Sequence, residues 1–339
     1  LQKDKLLESL IVQNSRKYAV ESSHVEGKAT VRFPEQTPPM AVPYNYDLNY
    51  SQLLQELALA FQRERPLFIL PMYYPLAYST NPEVDRLVEN RQRQVVGLIR
   101  TVFLKRFESS LAAFTGSLID MADRITVWLD HNTDADSQDR SRLQAWIDQH
   151  EATMSALRQN FRPGSLDQEP DDDLVLDEEG EFEDTLDPEQ YDMPALLGDA
   201  LSDLDQIGRL LELCQQVGLT GDSKYEQLRR LLLGTGKEKL NKRESEIFDP
   251  SFAQHKVLVF TEFADTARYL DERLKSDGLI NVDRLDGSRK ANRVEMIKRF
   301  APFYNEVSAQ DREKAKPLRV LISTDILSEG VNLQDATLI

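Results

Sequence analysis

Apolar positions in this chain follow two different periods, and the change between them divides it. From Leu53 to Leu233 they recur mostly at three and four, the spacing of one helix face. Asn49 or Ser51 is placed to cap a helix through Phe61, with Leu53, Leu54, Leu57 and Phe61 on one side. Pro66 to Pro82 reads as a Pro/Tyr-rich connection. A single long helix is predicted from about Glu83 to Leu129, carrying Leu87, Val95, Leu98, Val102, Leu111, Phe114 and Leu118. After a polar break at Asp134 to Asp139, further helices are predicted over 143–161, 195–217 with Gly218 as C-cap, and 222–233. Past Lys256 the pattern changes to short, mainly apolar runs, Val257 to Phe260 and Leu318 to Ile322. Runs this short and this apolar fit buried parallel strands. The order is strand 257–260, helix 264–276, strand near 280–285, helix 290–300, strand 318–323 and a helix-like turn 325–329. Alternation of this kind predicts an α/β fold with a parallel sheet and right-handed crossovers. Ala301 to Lys316 is a polar insertion before the third strand.

Composition sharpens this picture. A chain of 339 residues is long enough for two or three domains. No apolar run approaches the roughly 18 residues that span a bilayer, and the first residues are too charged for a signal peptide. Cys214 is the only cysteine, which excludes an internal disulfide, and four scattered histidines show no zinc-ligand spacing. A reducing, cytoplasmic setting is expected. Residues 1–30, with no initiator methionine, read as the tail of something larger. Val31 to Pro39 is expected to be extended, because its prolines disfavour helix at and before themselves.

The net charge of −17 argues at first against nucleic acid. Its location removes most of that argument. No lysine or arginine occurs between Arg162 and Arg209, and this interval holds seventeen Asp and Glu, so the remainder is near neutral. The acidic stretch Pro163 to Pro194 predicts a mobile or disordered loop. It would solubilise the chain, compete with nucleic acid, or dock a basic protein partner.

Candidate chemistry gathers at the predicted sheet edge, because ligands of open α/β sheets sit at the carboxyl ends of the strands. Thr261-Glu262 and Ser323-Thr324-Asp325 follow two such strands. The Thr261 hydroxyl and the nearby start of helix 264–276 suit a phosphate oxygen, and Thr261 or Asp265 would equally serve as a simple helix cap. Glu262, Asp286 and Asp325 read as catalytic carboxylates, as metal ligands, or as solvated residues at strand ends and turns. Gly330 permits close backbone approach, and Asn332 offers an amide to hydroxyl groups. Gly234-Thr-Gly-Lys-Glu238 fails as a phosphate loop: the earlier glycine is missing and Glu238 stands where Ser or Thr would hold magnesium. Lys224, Arg229, Arg230, Lys237, Lys239, Lys242 and Arg243 form a basic stretch suited to nucleic acid or simply to solvent. Lys105 and Arg106, with Glu108, suit an ion-pair cluster beside the strand region.

Taken in order, these fragments resemble the second motor lobe of a superfamily-two helicase of the Swi/Snf type. Val257–Thr261 is similar to helicase motif IV, Asp286–Phe300 to the arginine-containing motif that follows, and Ser323–Gln334 to motif V. Phe33–Pro39 with Tyr46–Leu48 looks like the first-lobe exit of bacterial members. Leu104–Ser110 and Asp222–Lys224 with Leu228 are similar to segments before their second lobe. The relatives so resembled include RNA-polymerase-recycling ATPases and phage-defence translocases. The resemblance implies three regions: the end of a first lobe and a linker at 1–50, a helical insert at 51–221, and an incomplete RecA-like lobe at 222–339. It implies that Thr261, Arg293 and Thr324 touch the nucleic-acid backbone and that Gly330 and Asn332 face a nucleotide. It implies ATP with magnesium as cofactors of a longer parent and duplex DNA as partner. The Walker lysine, the Asp-Glu-x-His box and the arginine-finger motif are absent from these residues, so no catalytic residue and no turnover are expected of this chain by itself. An RNA helicase lobe and a non-catalytic, protein-binding adaptor are the alternatives.

Overall fold

The computed structural model describes residues 38–45, 48–60, 68–161, 185–234, 247–248, 250–286, 293–303, 305, 307–314, 316–324, 333 and 335–336. Contacts divide the chain after Val42. The described residues before that point, 38–42, carry no regular secondary structure. Everything else belongs to one unit, Pro43–Ile339.

That unit begins with α1 (Leu48–Ala60), which buries Tyr50, Leu53 and Leu57 on one face. Two short 3₁₀ turns, Pro71–Tyr73 and Pro75–Tyr78, occupy the Pro/Tyr-rich connection. The long helix predicted over 83–129 is two helices. The first, α2 (Arg86–Ser109), is capped by Asp85, whose side chain accepts from Leu87 N at 2.9 Å. The second is α3 (Leu111–Asn132). Ser110 between them is extended (φ −162°, ψ 155°), and its hydroxyl accepts from Ala113 N at 3.0 Å. A serine that offers its oxygen to the next turn ends one helix and starts another without changing the apolar spacing.

The first half of α3 is buried all round, so it is a central helix. Packed with it are α4 (Gln138–Phe161) and α5 (Met193–Val217). Asp192 caps α5, and Gly218, at φ +55°, ends it as expected. The acidic stretch is not loop throughout. Leu186 is buried, Tyr191 bridges to Ser79, and Thr80 N donates to Gln190 O at 2.8 Å. Backbone pairing and one apolar anchor thus dock 185–192 on the helical region. Residues 162–184 lie outside the described part, as do 1–37.

After α6 (Ser223–Leu233) come β1 (Val257–Phe260), α7 (Ala264–Ser276), β2 (Val282–Leu285), α8 (Arg293–Phe300), α9 (Ala309–Lys314) and β3 (Val320–Ser323). The strands are parallel in the order β1–β3–β2, with Val257 and Val282 both in register with Val320. This is the α/β arrangement that strand–helix alternation predicts, with one short helix inside the polar insertion. The helix-like turn expected at 325–329 lies outside the described residues. Val257, Val282, Val320 and Ile322 face α7 and join the core of the helical region. Leu258, Leu285 and Leu321 face α8, with Met296, Ile297 and Phe300. Covered on both sides, the central strand β3 is buried at every position, which is why Val320, Leu321 and Ile322 are all apolar.

Candidate functional site

The sheet brings Thr261 and Thr324 together. Thr261 N donates to Ser323 O at 3.0 Å, so the two threonines stand on adjacent strand ends at the carboxyl edge. Thr261 is half-buried and Thr324 is buried. The Ser323 hydroxyl turns back to Leu285 O at 3.2 Å and so ties β3 to β2. Arg293 is in the first turn of α8, half-buried and itself engaged; no contact joins it to either threonine among the described residues. Gly330, Asn332 and Asp325 lie outside the described residues. Lys237, Lys239, Lys242 and Arg243 do so as well, together with all of the Gly234–Glu238 loop beyond Gly234.

Neither threonine nor aspartate caps α7. Phe263 is its N-cap, in extended geometry and without a side-chain cap bond. Asp265 has another role. Its carboxylate meets Arg106 Nη2 at 2.5 Å, with both side chains buried. The same guanidinium lies 4.8 Å from the centre of the Phe263 ring. A buried charge is tolerated only when paired in this way. Lys105, one residue earlier, reaches Glu262 at 2.9 Å, both side chains being about half exposed (53% and 54%). The Glu262 carboxylate holds the Lys105 ammonium above its ordinary pKa. The Lys105–Arg106 cluster is thus a pair of ion bridges from the helical region to the strand region. Glu262 is ion-paired with Lys105, and Asp286 is buried and ion-paired with Arg284.

A line of hydroxyls completes the contact. Ser109 Oγ lies 3.3 Å from Thr261 Oγ1 and 2.9 Å from Thr266 Oγ1, and Ser110 Oγ lies 2.7 Å from Thr266 Oγ1. The break between α2 and α3 leaves terminal carbonyls without helical partners. Lys224 of α6 satisfies two of them, donating to Glu108 O at 2.8 Å and Ser109 O at 3.0 Å. The other described members of the basic stretch are also spent internally. Arg229 pairs with Glu226 at 2.6 Å, and Arg230 lies 4.4 Å from the centre of the Phe248 ring.

These groups border a cleft of about 430 Å³ between α2, α6 and the end of β1. Thr261, Ser109, Lys105 and Lys224 supply its donors, while Val259 and Phe260 supply apolar wall. Its floor is fixed by Asp222, which caps α6 through Tyr225 N at 2.9 Å and accepts from Tyr269 OH at 2.7 Å. Burial and the Asp222 charge push the Tyr269 phenol far above its ordinary value, so it remains a donor there. Ser109, Ser110 and Thr266 carry no motif that would mark them as site residues. The one signal for them is their position within or opposite the Leu104–Ser110 segment.

Nucleotide contact was expected of Gly330 and Asn332, outside the described residues. Among the described residues no group of three His, Cys, Asp or Glu side chains is placed to hold a metal ion. Also among them, no helix is long and apolar enough to cross a membrane. Residues 238–339 match the helicase conserved C-terminal domain family. No curated protein and no solved structure matches the chain.

Proposed function

We propose, from the helicase conserved C-terminal domain at 238–339, that this chain is the second-lobe portion of a Swi/Snf-type ATP-dependent translocase acting on duplex DNA. The observation that supports this reading is the placement of Thr261 and Thr324 on adjacent strand ends of a parallel sheet. Backbone amides and hydroxyls at such an edge take phosphate oxygens irrespective of base sequence, as a translocating motor requires. Thr261 lies at the start of α7, where aligned peptide dipoles favour an anion. Thr261, Arg293 and Thr324 are the backbone contacts in this reading, with Gly330 and Asn332 turned toward nucleotide. ATP with magnesium supplies the free energy of phosphoryl transfer when bound to a complete two-lobed motor. The residues described here hold and orient the nucleic-acid strand.

ATP hydrolysis by the full-length protein, with and without duplex DNA, tests the proposal. DNA should stimulate it, and Thr324→Ala and Asn332→Ala should each abolish the stimulation, removal of a preorganised donor costing about two to three orders of magnitude. Stimulation by RNA in place of DNA would identify an RNA helicase. Indifference to both nucleic acids and both substitutions would identify a protein-binding adaptor.

A further inference from the structure

The helical region meets the strand region at the residue that the proposed function assigns to nucleic acid. Ser109 shares the Thr261 hydroxyl, and Lys105 holds the very next residue, Glu262. Two ion pairs sit side by side there with opposite character. Arg106–Asp265 is buried, and breaking it would strand a charge away from water. Lys105–Glu262 is exposed, so water replaces either partner at small cost. Arg106 therefore fixes the end of α2 on the strand region whatever Lys105 does. As the cleft stands, two cations, Lys105 and Lys224, face three carboxylates, Glu108, Glu262 and Asp222. Asp222 is consumed by Tyr225 N and Tyr269 OH, and the Lys224 ammonium by two carbonyls. Glu262 and Lys105 are the pair that can exchange partners.

We infer that Lys105 is a phosphate contact of the nucleic-acid site, contributed by the helical region and masked by Glu262 until a strand binds. Glu262 is the residue next to Thr261, the proposed backbone contact, and its carboxylate is the anion that Lys105 now holds. A phosphate offers Lys105 a charge-assisted hydrogen bond of the same kind as the carboxylate does. The exchange makes the helical region part of the track, with the end of α2 held in place by Arg106. This inference rests on the translocase reading.

The test is binding of a fluorescein-labelled duplex DNA by the full chain across a salt series, read by anisotropy. Lys105→Gln should weaken binding and reduce the slope of log K against log salt by about 0.9, the release of one counterion set. Glu262→Gln should tighten binding about threefold to fivefold at low salt, the equivalent of one exposed ion pair. The double variant should lose that gain. Arg91→Gln, about 21 Å back along α2, should change neither quantity. An unchanged slope in Lys105→Gln, or no gain in Glu262→Gln, overturns the inference. If wild type binds DNA and Thr261→Ala weakens it while the slope in Lys105→Gln holds, this inference alone fails. If wild type does not bind duplex DNA, the translocase reading fails with it.

Discussion

At the residue scale, buried charge is the main risk this chain takes. Arg106 is fully buried and answers Asp265 and the Ala113 carbonyl, at 2.5 and 3.4 Å. Arg106→Ala would remove the shorter of the two arginine contacts of Asp265, the other being Arg268 at 3.4 Å. A loss of about 3–5 kcal/mol in urea denaturation is expected, the range for breaking a buried pair. Asp203 poses the opposite problem. It accepts from Ile69 N at 2.7 Å and Leu70 N at 2.5 Å, and so holds Leu70 in its left-handed conformation (φ 59°). Those donors favour the carboxylate, but burial outweighs them and pushes its pKa up to about 7. The folded state therefore keeps a proton that the unfolded chain has released. The resulting stability is full below the ordinary value of 3.8 and is lost as pH rises through about 7. Wild type should have a lower urea midpoint at pH 8 than at pH 5.5, and Asp203→Asn should flatten that difference.

At the element scale, close approaches set where helices sit. Gly208 of α5 faces the buried His150 of α4, which stacks on Trp146 with ring centres 4.5 Å apart. A Cβ at Gly208 would lie 2.5 Å from His150 Nε2. Alanine would improve helix propensity by up to about 1 kcal/mol. Overpacking costs about 1–3 kcal/mol, and the ring is pinned by its Nδ1 contact with Trp146 O at 2.9 Å. Gly208→Ala should therefore lower the Tm, despite being a favourable change in an isolated helix. The division of α2 from α3 belongs to this scale too. Apolar spacing runs unbroken through Ser110, so periodicity predicts one helix. The cap bond to Ala113 N and the contact with Thr266 decide otherwise. Local spacing carries no record of a partner 156 residues away.

At the scale of the whole molecule, one hydrophobic cluster runs from Tyr50 of α1 through the helices to Val320 and Ile322 of the sheet. Phe161 at the end of α4 meets Tyr269 of α7 with ring centres 5.9 Å apart. A continuous core couples its parts. Both tryptophans, Trp128 and Trp146, belong to the helical region. Their fluorescence transition in urea should coincide with loss of amide protection at Val320–Ser323. Separate midpoints would show that the strand region folds independently of the helices.

The chain by itself determined the parts that depend on near neighbours. Strand–helix alternation after Lys256 gave β1, α7 and β3 within two residues, because a strand covered on both faces favours consecutive apolar residues. Gly218 and Asp222 marked a helix end and a helix start through local hydrogen bonds. The order of short motifs pointed to the helicase C-terminal domain that residues 238–339 match. Tertiary structure decided what depends on distant partners. It divided one predicted helix at Ser110, docked residues 185–192 through Leu186 and a backbone bridge, and made Glu262, a site candidate, and Asp265, a helix-cap candidate, into anchors. A carboxylate acts as a base, a ligand or a tether according to the charge that faces it, and here that charge comes from α2, more than 150 residues earlier in the chain.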